Sequence, residues 1–510
     1  MIELTGEGLT PAQVVAVARS DDRVELAKTA RAAMEKSAAV VDGLTSSSEP
    51  AYGVSTGFGS LATTPIPADR REELQRALLR SHAAGMGDPV EREVVRAMML
   101  LRARSLAMGY SGARPEIAEA ILGILNAGLT PVVPEHGSLG ASGDLAPLAH
   151  CALALIGEGE VSDGSDRRRP AAEALADTGL EPMTLRAKEG LALINGTDGI
   201  LGMLILAVAD LRSLLRAADI SAAMSVEALL GTDRAFAEDL IALRPQPGQA
   251  DSAANLRRLL AGSPIVASHR EDDPRVQDAY SLRCAPQVNG AARDAVAYAE
   301  QVAEHELASA IDNPMILPDG RVESCGNFHG APLGLACDLL AMAVADTGAI
   351  AERRTDRLLD ASRSEGLPPF LAENPGVNSG LMISQYTQAA MVSENRRLAV
   401  PAGVDSLPTS AMQEDHVSMG WSAARKLRSA IDNLGRILSV EAVSAARGIQ
   451  LREPLEPGAG TGAAVAAIRA AGVPGPGPDR ELAPELEKAA RLVAGGGIVS
   501  AVEETVGELR

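Results

Sequence analysis

Leu427, Ile431, Leu434 and Leu438 recur at i, i+4, i+7 and i+11, a spacing that puts them on one face of a helix and on both faces of a strand. The same register returns in Leu201, Leu204, Ile205, Val208, Leu211 and Leu215, with arginines and aspartates between them, and in Val296, Ala299, Ala303, Leu307 and Ile311. These runs outlast ordinary strands and are rich in helix formers, so they predict a bundle of long packed helices. Aromatics make up 2% of the chain against 46% hydrophobic residues, which leaves Ala, Leu, Val and Ile to fill the core. Small aliphatic side chains suit close helix packing. The expected fold class is all-α.

The 510-residue chain has room for about three domains. Up to Ile200 its texture is that of short helices broken by glycine-rich loops, at Tyr52–Ser60, Thr130–Gly143 and Leu193–Thr197. We expect an N-terminal region over 1–200, the helix bundle over 201–452 and a tail over 453–510. Within the tail, Val473-Pro-Gly-Pro-Gly-Pro-Asp479 breaks any helix and Leu482–Val493 begins another. Ile316-Leu-Pro-Asp-Gly-Arg-Val322 predicts a small hairpin, because Pro-Asp-Gly favours a tight turn.

Lys plus Arg number 47 and Asp plus Glu 67, a formal charge of −20, which argues against a nucleic-acid partner. Met1-Ile2-Glu3-Leu4 lacks the basic start of a signal peptide, and the apolar run Met203–Ala209 is stopped by Asp210, short of the roughly 18 residues of a membrane helix. Cys151, Cys284, Cys325 and Cys337 form no Cys-x-x-Cys pair, as in reduced cytosolic proteins. The expected location is the cytoplasm, with no membrane partner. His136, His269 and His305 lack metal-ligand spacing, so no metal site is expected.

Chemistry concentrates at Ala141-Ser142-Gly143. If the Gly143 amide nitrogen attacks the Ala141 carbonyl carbon and two waters leave, a five-membered ring forms and the Ser142 side chain becomes an exocyclic methylidene. Glycine is needed third, because a Cβ would hinder the approach; serine is needed second, because its hydroxyl is eliminated. The product is an electrophile that no ordinary side chain supplies. Two other motifs fail on context. Gly53-Val-Ser-Thr-Gly57 matches a nucleophile elbow but follows loop material rather than a strand. Gly137-x-x-Gly-x-x-Gly143 is not a dinucleotide fingerprint.

The fourteen-residue string Gly137-Ser-Leu-Gly-Ala-Ser-Gly-Asp-Leu-Ala-Pro-Leu-Ala-His150 resembles the signature of the aromatic amino acid ammonia-lyases and aminomutases, whose prosthetic group is methylidene-imidazolone. The resemblance runs from Leu4 to about Arg452, and more weakly through the tail. It is carried further by Tyr52-Gly-Val-Ser-Thr-Gly-Phe-Gly59, Ser81-His-Ala-Ala-Gly85, Gly190–Thr197, Gln277–Gln287 and Gly326-Asn-Phe-His329. Gln413-Glu-Asp-His-Val-Ser-Met419 is similar in particular to the histidine ammonia-lyases.

The resemblance implies an ammonia-lyase/fumarase-like helical fold, a prosthetic group closed autocatalytically from Ala141, Ser142 and Gly143 with no external cofactor, and a homotetramer whose sites draw on three subunits. It implies deamination of L-histidine to urocanate and ammonia. The alternatives are a tyrosine or phenylalanine lyase, an aminomutase, or an inert helical oligomer. Tyr52 is the candidate base for the β-proton, although a free tyrosine ionises only near pH ~10. Tyr280 is assigned to the electrophile or to a proton shuttle, and Arg283 to the substrate carboxylate through its two-pronged guanidinium. Asn195 and Gln277 hydrogen-bond substrate or prosthetic group, and Phe328 packs on the ring side. His82 and Glu414 face the imidazole, with Glu414 also sharing in proton transfer. His150 and His416 are read as structural supports. Ser55 and Met412 depart from the pattern, each standing where many relatives have Asn.

Overall fold

The computed structural model describes residues 1–45, 56–57, 64–165, 167–271 and 273–510. It is 60% helical, as the periodicity requires. The helices that build the site and the interior are α1 (Arg71–His82), α2 (Arg92–Ala107), α3 (Leu145–Leu155), α4 (Glu189–Ile194), α5 (Asp198–Ala228), α6 (Ala285–Leu307), α7 (Ala331–Leu359), α8 (Met382–Leu398) and α9 (Gly420–Gln450). Strands are two to four residues long. Ile2–Leu4 pairs in parallel with Val24–Leu26, Met86–Pro89 pairs antiparallel with Pro134–His136, and Thr130–Pro131, Glu160–Ser162 and Arg168–Pro170 form a three-stranded patch. The expected hairpin forms, with Ile316 paired to Val322. The tail helix covers Ala483–Ala494.

The chain forms two compact units, each assembled from three separate stretches. The first comprises Met1–Leu206, Ala299–Asp338 and Pro401–Arg425. Within it α1 packs against both α3 and α4, and α3 packs against α4. Every residue of α2 from Val94 to Ala107 is buried, including three arginines. A buried guanidinium must be hydrogen-bonded, and these reach backbone carbonyls. Arg96 donates to Val17 and Leu125, Arg102 to Asn195 and Ile311, and Arg104 to Glu306 and Ser309. Burial brings Arg104 down to about 10, which leaves it charged at neutral pH.

The second unit comprises Ala207–Tyr298, Leu339–Val400 and Lys426–Arg510. The α9 stripe is its interior, with Leu427, Ile431, Leu434 and Leu438 at most 5% exposed. Deep in this unit Glu441 of α9 pairs with Arg354 of α7, and neither side chain has any exposure. Ser221 and Ser225 of α5 donate to the two Glu441 oxygens at 2.8 Å each. Three long helices thus meet on one carboxylate.

By length and composition, Glu189–Ala228 and Ala331–Leu359 would suffice to cross a membrane, which the run ending at Asp210 did not suggest. The apolar window of the first is wholly buried by the chain's own residues.

Candidate active site

The three mutually packed helices of the first unit carry motifs that are distant in sequence. His82 ends α1, Ala141-Ser142-Gly143 leads through Asp144 into α3, and Asn195 closes α4. The tripeptide is gripped by residues far along the chain. Asp144 N donates to Gly196 O at 2.6 Å, Ser418 Oγ to Gly140 O at 2.9 Å, and Met419 N to Leu139 O at 2.8 Å. Gly143 has φ +76°, and a Cβ there would fall 2.1 Å from Gly196 O, so only glycine fits. Ala141 and Gly143 are buried; Ser142 alone of the three is partly exposed.

Asp144 has no exposure and receives Ser138 Oγ on one oxygen at 2.8 Å and the amides of Gly199 and Ile200 on the other at 2.9 and 3.0 Å. It thereby caps the N-terminus of α5 from outside that helix, an end that favours negative charge. Burial nevertheless pushes its carboxyl up to about 7. Between the unfolded value of about 4 and that value, the folded chain keeps a proton that the unfolded chain has lost. Its contribution to stability is therefore complete at low pH and falls as pH rises through this window. Asp144→Asn is expected to remove this part of the slope of thermal midpoint against pH; parallel curves for parent and variant would contradict it.

Ser142 opens on a cavity of about 620 Å³ lined by Ala141, Ser142, Asn313, Ser324, Gly326, Phe328, His329 and Gln413 to His416. That is within the range of small-molecule sites. Glu414 is half-buried and accepts Thr409 Oγ1 at 2.8 Å. Its charge reaches His82, whose titration is lowered by burial and only partly restored by the Leu78 carbonyl and Glu414. His82 Nδ1 lies 3.0 Å from Leu78 O, a pure acceptor, so Nδ1 carries the hydrogen and the neutral ring keeps Nε2 as an acceptor.

The Glu414 segment follows a local distortion: Ser410, Ala411 and Met412 have φ of 51°, 51° and 71°. Left-handed backbone costs such residues roughly 1 kcal/mol each and suits Asn better. That is a physical reason for Asn where this chain has Met412. Met412→Asn is expected to raise the urea midpoint slightly, by up to about 1 kcal/mol of stability; a lower midpoint would refute the strain account.

Of the other predicted residues, Phe328 lines the cavity, while Asn195 bonds the Asn313 carbonyl just behind it. Gln277, Tyr280 and Arg283 belong to the second unit. Tyr280 is 71% exposed, and the Arg283 guanidinium lies 4.6 Å from its ring centroid. Among the described residues Arg283 has no hydrogen bond or ion pair, and its Nε is buried without a partner. Tyr52 and Ser55 lie outside the described residues. His150 accepts the Gly85 amide, a supporting contact, whereas His416 lines the cavity with its ring stacked 5.8 Å from that of His329. Asn313, Ser324 and His329 were missed; the Gly326-Asn-Phe-His329 string held the signal for the last. Among the described residues no cluster of His, Cys, Asp and Glu has a metal-binding arrangement.

A family model described as aromatic amino acid lyase matches residues 9–470. A histidine ammonia-lyase of Streptomyces coelicolor is 61% identical over 99% of this chain and 98% of its own. Among solved structures, a tyrosine aminomutase from Streptomyces globisporus superposes with a TM-score of 0.94 at 37% identity, covering all of both chains. A histidine ammonia-lyase from Trypanosoma cruzi superposes at 0.91 with 39% identity, over 99% of this chain and 96% of that one.

Proposed function

The chain belongs to the aromatic amino acid lyase family, and from that premise we propose that it deaminates L-histidine to urocanate and ammonia. The observation that carries the proposal is that Ser142 and Glu414 line one cavity. A carboxylate beside a phenyl ring would lose hydration without a partner, whereas an imidazole offers it an N–H.

The residues of the loop fit a methylidene-imidazolone. Only glycine is tolerated at 143, and only Ser142 projects from the buried tripeptide. Such a group supplies an electrophilic carbon that makes a bound amine a good leaving group. The chain's own side chains do the rest. Glu414 accepts the hydrogen bond that the N–H of the substrate ring donates, and neutral His82 faces the same ring. Phe328 packs on the ring side. Tyr52 is the assigned base for the β-proton, with Glu414 sharing in proton transfer. Arg283, without a hydrogen bond or ion pair among the described residues, is assigned to the substrate carboxylate, with Gln277 beside it and Tyr280 as hydrogen-bond donor or shuttle.

We assign these groups to a homotetramer whose sites draw on three subunits. Val377, Ile383 and Tyr386 of the second unit are 58–88% exposed and would gain burial in such an assembly. The cytoplasm remains the proposed location, supported by four cysteines that form no disulfide among the described residues.

The fold likeness to a tyrosine aminomutase favours one rival, retention of the ammonia and its return to the β-carbon. Histidine, tyrosine and phenylalanine assayed side by side, with both ammonia and product identified, separate the two. Urocanate and free ammonia from histidine are expected; preference for tyrosine, or a β-amino acid product, would overturn the assignment.

A further inference from the structure

Chemistry fixes which way the Asn195 carboxamide faces. Its Nδ2 lies 3.3 Å from Asp312 Oδ1 and 2.8 Å from the Asn313 carbonyl, both acceptors. Both N–H groups are therefore spent, and only Oδ1 remains for a ligand. The other Asp312 oxygen accepts Lys188 Nζ at 2.7 Å, and neither side chain of this pair has any exposure. Lys188 and Asn195 bracket α4: Lys188, at φ 71°, precedes Glu189, and Asn195 follows Ile194. A buried ion pair is weak evidence of a stabilising role, and a lysine in left-handed backbone adds strain. Both local costs fall on the residue that pins the carboxylate holding Asn195.

We propose that the Lys188–Asp312 ion pair is a positioning device that holds the Asp312 carboxylate against the Asn195 amide, so that Asn195 turns its carbonyl oxygen, and not its amide, toward the substrate nitrogen. Without the ammonium the carboxylate loses its anchor, Asn195 keeps only the Asn313 carbonyl as a firm acceptor, and its oxygen drifts out of line. The proposal rests on histidine deamination at this cavity and specifies what Asn195 does there. Lys188 and Asp312 are positioning residues, since they act through Asn195.

The test is a double-mutant cycle on the full-length enzyme. Lys188→Met is made in the parent and in Asn195→Ala, and kcat for histidine is read together with the absorbance of the prosthetic group. In the parent a fall of about tenfold to a hundredfold is expected, the scale of a misplaced contact, at undiminished absorbance. In Asn195→Ala the same substitution is expected to change kcat by less than about twofold, because nothing is left to orient. A parent-like rate for Lys188→Met, or equal losses in both backgrounds, would overturn the proposal. If Lys188→Met does not fold, Lys188→Met with Asp312→Asn carries the same cycle. That pair is uncharged, and Asn at 312 presents either face to Asn195, so the same background-dependent loss is expected. Parent turnover of histidine, measured alongside, tests the functional reading separately.

Discussion

Ser142→Ala yields a folded chain whose turnover of histidine falls by several orders of magnitude. The side chain is small and only partly exposed, and the bonds that hold the loop come from Gly196, Ser418 and Met419, none of which involves the Ser142 hydroxyl. Stability should therefore change by little. What is lost is the group eliminated in making the methylidene, and with it the means of activating the amine. Two measurements bear on this apart from rate. The mature parent should weigh two water molecules less than its sequence, and its ultraviolet absorbance should change on borohydride treatment; the variant should show neither. Parent-like activity in Ser142→Ala, or a parent of full calculated mass, would remove the electrophile from the scheme.

Glu441→Ala is expected to be the most damaging single change to stability, at about 3–5 kcal/mol. Among the described residues it leaves the Arg354 guanidinium, with no exposure, only the Ser281 carbonyl as a partner, and it strips Ser225 of its carboxylate acceptor, while Ser221 keeps the Ala218 carbonyl. The loss belongs to an uncompensated buried charge rather than to the ion pair itself. Removing both charges, as Glu441→Leu with Arg354→Met, should therefore recover most of it. Urea midpoints of the single and double variants decide the matter: a single variant as stable as the parent, or a double variant no better than the single, would refute this account.

Helix periodicity made much of the fold legible. Leu427, Ile431, Leu434 and Leu438 are inside because i, i+4, i+7 spacing leaves them no alternative once the helix forms. The turn at Pro318-Asp-Gly320 was legible for the same local reason. The buried ionic groups were not. Nothing near Arg354 in sequence marks Glu441 as its partner, 87 residues away, and Lys188 and Asp312 are separated by 124. Nor does local pattern show that each compact unit collects three separate stretches of chain. At the site, residues within one motif were found together, as Ala141 and Ser142 were. Asn313 escaped because its place in the cavity is set by hydrogen bonds from Ser324 and Cys325 to its side-chain oxygen.

The grip of Ser418 and Met419 on the loop around residue 140 also sets a timetable for biosynthesis. The loop's clamp lies 278 positions downstream, and at about 5–20 residues per second a ribosome needs roughly 15–55 s to reach it. The tripeptide emerges early but is not shaped until nearly the whole chain is out, so the proposed ring closure would report completed folding. A chain truncated before Ser418 would carry every atom of the electrophile and lack the geometry to close it.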